Sequence, residues 1–253
     1  MEKVLITGAA GVIGGVLVEG LRDEYLIAAV DRRRVRSISA RRLDLRWRPG
    51  VDRAVRGVDA VVDLAALSSL STSWRAIRRN NIPMTMNVLE AARKAGVRRV
   101  VMASSNHVTG LYELDEPYAS IVRGEYDGLD PANVRRITTL DPIRPDAPYA
   151  LGKVLAEAAG RYYSERHGMS VICLRIGTVN HQNRPLSPRA FATLLTHADL
   201  VRLVRCCLRA PLELGFAVVY GVSANRWRFW DLADAEERIG YRPEDDAEMF
   251  RQD

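Results

Sequence analysis

The sequence predicts an α/β chain built on a doubly wound parallel sheet, and two observations carry that expectation. Apolar runs of strand length, such as "KVLIT" (3–7) and "SVICLRI" (170–176), alternate with helical patterns through the first two-thirds of the chain. These runs are unbroken Val, Ile and Leu rather than alternating apolar and polar, which is what strands covered by helices on both faces require. At 253 residues and 47% hydrophobic, the chain is long and apolar enough to bury one substantial core.

The elements follow in order. After the first strand, Gly11 to Arg22 reads as a helix, and "YLIAAV" (25–30) as a second strand, with a short third strand expected before Asp44. "VDAVVDLAA" (58–66) is a strand ending in small residues, followed by a helical stretch from about Trp74 to Ala95 and the strand "RRVVMASS" (98–105). Residues 149 to 167 are helical in pattern and lead into the strand at 170–176. The last 75 or so residues differ: a polar loop, one helix (Asp199 to Arg209), a short strand "FAVVYG" and an aromatic tail in which Trp227, Phe229 and Trp230 read as packing residues. This stretch is too short to fold alone and reads as a cap beside the sheet.

Charge and cysteine content narrow the function classes. The net charge is +6, yet of 37 basic residues only Lys3, Lys94 and Lys153 are lysines, and the arginines are spread from end to end. With no nucleic-acid motif around the short arginine clusters, a nucleic-acid partner is not expected. No apolar run approaches a membrane span, and the N-terminus enters the first strand without the pattern of a signal peptide, so a cytoplasmic protein is expected. Cys173, Cys206 and Cys207 lack both metal spacing and a disulfide framework. Neither they nor His167, His181 and His197 make a metal site.

"TGAAGVIG" (7–14) lies between the first strand and the first helix, the context in which a glycine fingerprint has a mechanism. Gly8 permits the tight turn, Gly11 lets the backbone approach a pyrophosphate, and Gly14 allows close helix–strand packing. The amides around Val12 and Ile13 face the phosphates at the helix N-terminus. Asp31 ends the second strand 23 residues after Gly8, where a carboxylate accepts the ribose hydroxyls of NAD. Arg32 to Arg34 leave NADP as the less favoured alternative, since a 2′-phosphate beside Asp31 would be repelled. Asp44 and Leu45 are candidates for the adenine side, and Ala65 and Ala66 are small enough for close cofactor approach. The chain is therefore expected to be one Rossmann-type domain over 1–253. Its cofactor-binding part would span about 1–177 and a small C-terminal substrate-capping region about 178–253.

The chemistry is expected at "APYALGK" (147–153), where Tyr149 and Lys153 stand at i,i+4 on one helix face. A free tyrosine, with a pKa of about 10, is a poor base at neutral pH. A neighbouring ammonium stabilises the phenolate and makes such a side chain usable as a general acid/base. Lys153 can also hold the nicotinamide ribose. Ser105, at the end of the 98–105 strand, is the expected third group, with Ser104 as the alternative. Between Ser105 and Tyr149 lie 43 residues, an insertion of about 111–146 that reads as a lid or binding loop.

Together, T-G-x-x-G-x-x-G, a strand-end serine and Y-x-x-x-K resemble the extended short-chain dehydrogenase/reductase superfamily, also called the NAD-dependent epimerase/dehydratase superfamily. A closer resemblance, to uronate dehydrogenases, rests on "ASSNHVTG" (103–110), "LRIGTV" (174–179), "RPLSPRAF" (184–191), "THADLVRLV" (196–204), "VVYGVSANRWRFWD" (218–231) and "IGYRPEDDAEMF" (239–250). That resemblance implies NAD-dependent oxidation of a hexuronic acid at C1 to the aldarolactone. Tyr149 would take the hydroxyl proton, Ser105 would polarise the hydroxyl, and Ser68, Asn106, His107 and Thr178 would line the sugar site. Thr178 stands where the family often has serine. Arg184 matches the arginine that binds the substrate carboxylate, a role a planar guanidinium suits. Asn81 matches a helix asparagine of the superfamily. By the same analogy the 74–95 helix offers a face for a homo-oligomer. The alternatives are another sugar dehydrogenase using NAD(P), a nucleotide-sugar epimerase or dehydratase, and a non-catalytic dinucleotide-sensing protein.

Overall fold

Strand β1 (Lys3–Thr7) is paired on both edges by parallel strands, and its apolar side chains are buried on both faces of the sheet, Val4 and Ile6 on one and Leu5 on the other. Ile6 illustrates this, with Ala29 of β2 (Leu26–Asp31) on one side and Val62 of β4 (Ala60–Asp63) on the other. The remaining strands are β3 (Ala40–Arg42), β5 (Arg99–Ala103), β6 (Ser170–Ile176) and β7 (Phe216–Gly221), and the seven pair in the order 3-2-1-4-5-6-7, all parallel. This is the expected Rossmann-like α/β architecture. In the computed structural model, residues 1–34 and 40–251 are described.

Helices cover both faces. On one face, α1 (Val12–Leu21) packs against α8 (His197–Arg209), and Leu17, Leu21, Leu200 and Leu203 are buried against Val4, Ile6 and Ile172. On the other, α2 (Arg48–Ala54), α4 (Asn81–Ala95) and α6 (Pro148–His167) bury Val51, Leu89 and Tyr163 against Leu5, Val61 and Val100. Among the described residues no helix is long and apolar enough to cross a membrane.

The structure departs from the sequence reading in three places. The stretch expected as one helix over 74–95 is two, α3 (Trp74–Arg79) and α4, because Asn80 leaves helical backbone at φ −122° and ψ −69°. The expected boundary at 177/178 falls between neighbours of one sheet, since β7 pairs with β6 and α8 covers the sheet beside α1. Residues 111–146 are not a free-standing lid. They include α5 (Tyr118–Arg123), and Tyr118, Ile121, Val134 and Ile137 form a third apolar cluster with Tyr220, Trp227, Phe229 and Trp230. Ile137 is stitched into the 222–232 segment by donating its amide to the Phe229 carbonyl at 2.8 Å and accepting that of Asp231 at 2.9 Å. The short helices α7 (Ala190–Thr193) and α9 (Ala233–Ile239) complete the chain.

Candidate active site

The strand order reverses between β1 and β4, and a cleft of about 440 Å³ opens along the carboxyl ends of the strands there. This is the crevice in which doubly wound sheets place ligands. The turn after β1 is shaped for close approach. Gly8 has φ +67°, and a Cβ there would stand 3.0 Å from the Ala65 amide nitrogen. At Gly14 a Cβ would meet the Gly8 carbonyl oxygen at 2.4 Å, so the first turn of α1 can rest on the loop only without a side chain. Gly8, Gly11, Val12, Ile13 and Gly14 all line the cleft, with Ala65 and Ala66 facing them from the end of β4. A backbone cradle of this kind, at a helix N-terminus, fits a dinucleotide pyrophosphate.

Asp31 is the last residue of β2 and is nearly buried on the cleft wall. Its Oδ2 accepts the Ala10 amide at 3.0 Å and its Oδ1 the Arg33 amide at 2.8 Å, so the carboxylate ties the glycine turn to the strand end. Asp44 and Leu45 lie on the same wall. Arg46 hydrogen-bonds Asp44 at 2.6 Å and holds its carboxyl below the usual carboxylate range. One contact escaped the sequence reading: Thr7 donates its hydroxyl to Asp63 at 2.6 Å and accepts the amides of Leu64 and Ala65 at 3.1 and 3.2 Å. It thereby locks the carboxyl ends of β1 and β4 together. Burial pushes the Asp63 carboxyl up.

At the other end of the cleft stand Ser104, Ser105, Tyr149 and Lys153. Pro148 occupies the first turn of α6, where its missing N–H costs nothing, so Tyr149 enters the helix at the cleft. Lys153 lies one turn on, with Nζ 5.7 Å from the centre of the Tyr149 ring and donating to the Ala103 carbonyl at 2.5 Å. Of the two serines, Ser104 commits its hydroxyl proton to Glu157 at 2.5 Å. The Ser105 Oγ accepts the His107 amide at 3.2 Å.

Asn106, His107, Thr178 and Ser68 also line this end. Asn106 is buried, and its Nδ2 has no hydrogen-bond partner among the described residues. His107 Nδ1 meets Asp146 Oδ2 at 2.6 Å. Asn81 clamps the loop bearing Ser68 through both Leu67 backbone groups, at 3.0 and 3.1 Å.

Arg184, expected at the substrate carboxylate, lies apart from the other expected site residues. It is exposed and lines a separate depression with Arg123, Tyr126 and Arg251, not the cleft. The turn from Asn180 to Arg184 is closed by the Asn180 side-chain Nδ2 donating to the Arg184 carbonyl at 2.8 Å. The arginine nearest Thr178 on the cleft wall is Arg189, whose Nη1 lies 3.4 Å from Thr178 Oγ1. "RPLSPRAF" contains both arginines, and only the path of the chain distinguishes them.

Comparison with known proteins agrees with this architecture. The chain is 33% identical to an L-arabinose 1-dehydrogenase (NAD(P)(+)) of Haloferax volcanii, over 98% of each chain. It is 34% identical to a uronate dehydrogenase of Pseudomonas syringae pv. tomato, over 99% of this chain and 84% of that one. The crystal structure of uronate dehydrogenase from Agrobacterium tumefaciens superposes with a TM-score of 0.82 at 30% identity, covering 99% of this chain and 87% of that one. Residues 4–199 match the NAD dependent epimerase/dehydratase family, and the chain belongs to that family.

Proposed function

We propose that the chain is a dehydrogenase that oxidises the C1 hydroxyl of a free monosaccharide to the lactone, with NAD as acceptor. The observation that carries the reading is the placement of Tyr149 and Lys153 on one face of α6, beside Ser105 and at the mouth of the glycine-turn cradle. When bound, the nicotinamide supplies the hydride acceptor. Tyr149 removes the C1 hydroxyl proton, Ser105 donates a hydrogen bond to the same oxygen, and Lys153 stabilises the phenolate. Asn106 lines the same end of the cleft, beside Ser105. Asp31 at the adenosine ribose supports NAD over NADP, because a 2′-phosphate would meet its charge.

Two substrate classes fit this chemistry. Hexuronates, oxidised to aldarolactones, are supported by the resemblance to uronate dehydrogenases. Neutral aldoses are supported by the arabinose dehydrogenase relative and by the position of Arg184 outside the cleft. The test is NADH formation with galacturonate, glucuronate, galactose, arabinose and UDP-galacturonate, repeated with NADP. Tyr149→Phe should lower kcat by about 10²-fold or more while leaving NAD binding in place. Full turnover by that variant would remove Tyr149 from the mechanism.

A further inference from the structure

Besides Lys153, two basic side chains flank the sugar end of the cleft, His107 on its wall and Arg189 behind Thr178. Each is already held by a carboxylate from the inserted segment. Arg189 donates Nε and Nη2 to the two oxygens of Glu113, both at 2.6 Å, which fills the fork through which a guanidinium binds a carboxylate. His107 is held by Asp146, and the fit is built in: a Cβ at Gly110 would stand 2.0 Å from Asp146 Oδ2. The Arg189–Glu113 pair is part-buried, and the His107–Asp146 pair lies nearer the surface. The side chains are 25% and 15% exposed for Arg189 and Glu113, and 18% and 21% for His107 and Asp146. Charges so placed are screened far less than exposed ones.

We infer that the sugar end is built for an uncharged substrate, a neutral aldose, and that Glu113 sets this selectivity by occupying Arg189. The inference rests on the dehydrogenase reading and names its substrate class. A substrate carboxylate arriving on the Thr178 side finds the arginine fork already filled by Glu113, so it would lose its hydration without gaining a bidentate partner. Neutral hydroxyls meet no such penalty. They can use the hydroxyls of Ser68, Ser105 and Thr178, which line the cleft and carry no charge.

The test uses three sugars that share the C1 to C4 configuration and differ only at C5: L-arabinose with hydrogen, D-galactose with CH2OH and D-galacturonate with carboxylate. Wild-type protein with saturating NAD should show kcat/KM for one of the neutral sugars at least about tenfold above that for galacturonate. Glu113→Gln keeps the side chain's shape and removes its charge. It should move the galacturonate-to-galactose ratio toward the acid by about tenfold or more. Because the wild-type ratio is informative by itself, a poorly folding variant does not rescue the idea. A wild-type preference for galacturonate, lowered by Glu113→Gln, would overturn it and make Glu113 the residue that aims Arg189 at the substrate. A ratio that the substitution leaves unmoved overturns the assignment to Glu113. If the wild type binds NAD and oxidises none of the three, the dehydrogenase reading falls first and this inference with it.

Discussion

Replacing Glu157 by alanine should cost the protein a large part of its stability, and the structure says why. Glu157 lies two turns beyond Tyr149 on α6, and its side chain is only 10% exposed. It accepts Arg175 Nε at 3.0 Å, Arg175 Nη2 at 2.9 Å and the Ser104 hydroxyl at 2.5 Å. Arg175, on the interior strand β6, is 3% exposed and has no route to water. Burial opposes its charge, but the Glu157 carboxylate outweighs burial and holds the guanidinium pKa above its ordinary value. Glu157→Ala leaves that cation buried with two N–H groups stranded. Breaking such a pair costs about 3–5 kcal/mol, and the lost serine bond adds about 1 kcal/mol. A domain with a total of about 5–15 kcal/mol would be left marginal. Urea unfolding followed by tryptophan fluorescence measures the loss. The double variant Glu157→Ala, Arg175→Met should lose less than the two single losses together, because no charge is then stranded. A loss below about 1 kcal/mol for Glu157→Ala would falsify the reasoning, since it would mean that water or another group reaches Arg175. The same network has a functional end. Arg175 Nη1 and the Thr109 hydroxyl both meet the Tyr220 hydroxyl at 3.1 Å, and Thr109 donates to the Asn106 carbonyl at 3.1 Å. Turnover should therefore fall even in the fraction that remains folded.

Two further outcomes are expected. Asp31→Ala should lower kcat/KM with NAD and narrow the NAD-to-NADP preference by about tenfold or more, because Arg32 and Arg33 on the same wall would then meet a 2′-phosphate unopposed. Initial rates with the two cofactors check it, and an unchanged ratio would count against Asp31 as the discriminating group. Glu90 is held at a pKa of about 2, first by the Arg93 hydrogen bond and also by that of Tyr163. Because the folded-state pKa is depressed, its contribution is present above the ordinary value of 4.5 and is lost as pH falls toward about 2. Glu90→Gln should lower stability at pH of about 6 by on the order of 0.5–1 kcal/mol and make the loss of stability below pH 4.5 shallower. Denaturant midpoints across that range read it directly, and two parallel profiles would rule the pair out as a pH-dependent contributor.

What the sequence determined by itself was local in origin. Gly8 and Gly14 between a strand and a helix, and Tyr149 with Lys153 at i,i+4, involve neighbours along the chain, so spacing alone places them. The unbroken apolar runs determined the covered parallel sheet for the same reason. The tertiary structure decided what depends on where distant segments meet. Glu113 finds Arg189 across 76 residues and Asp146 finds His107 across 39, and no periodicity encodes either pair. That is why Arg184 was the expected substrate arginine and Arg189 is the one beside Thr178. The 111–146 segment read as a lid or binding loop because it is a long connection rich in acidic residues and prolines. Its order comes from the burial of Ile137 and Ile121 against Trp230 and Phe229, from the far end of the chain. The glycine turn and the Tyr149–Lys153 pair were thus legible in short motifs, while the ion pairs beside the cleft belong to the fold.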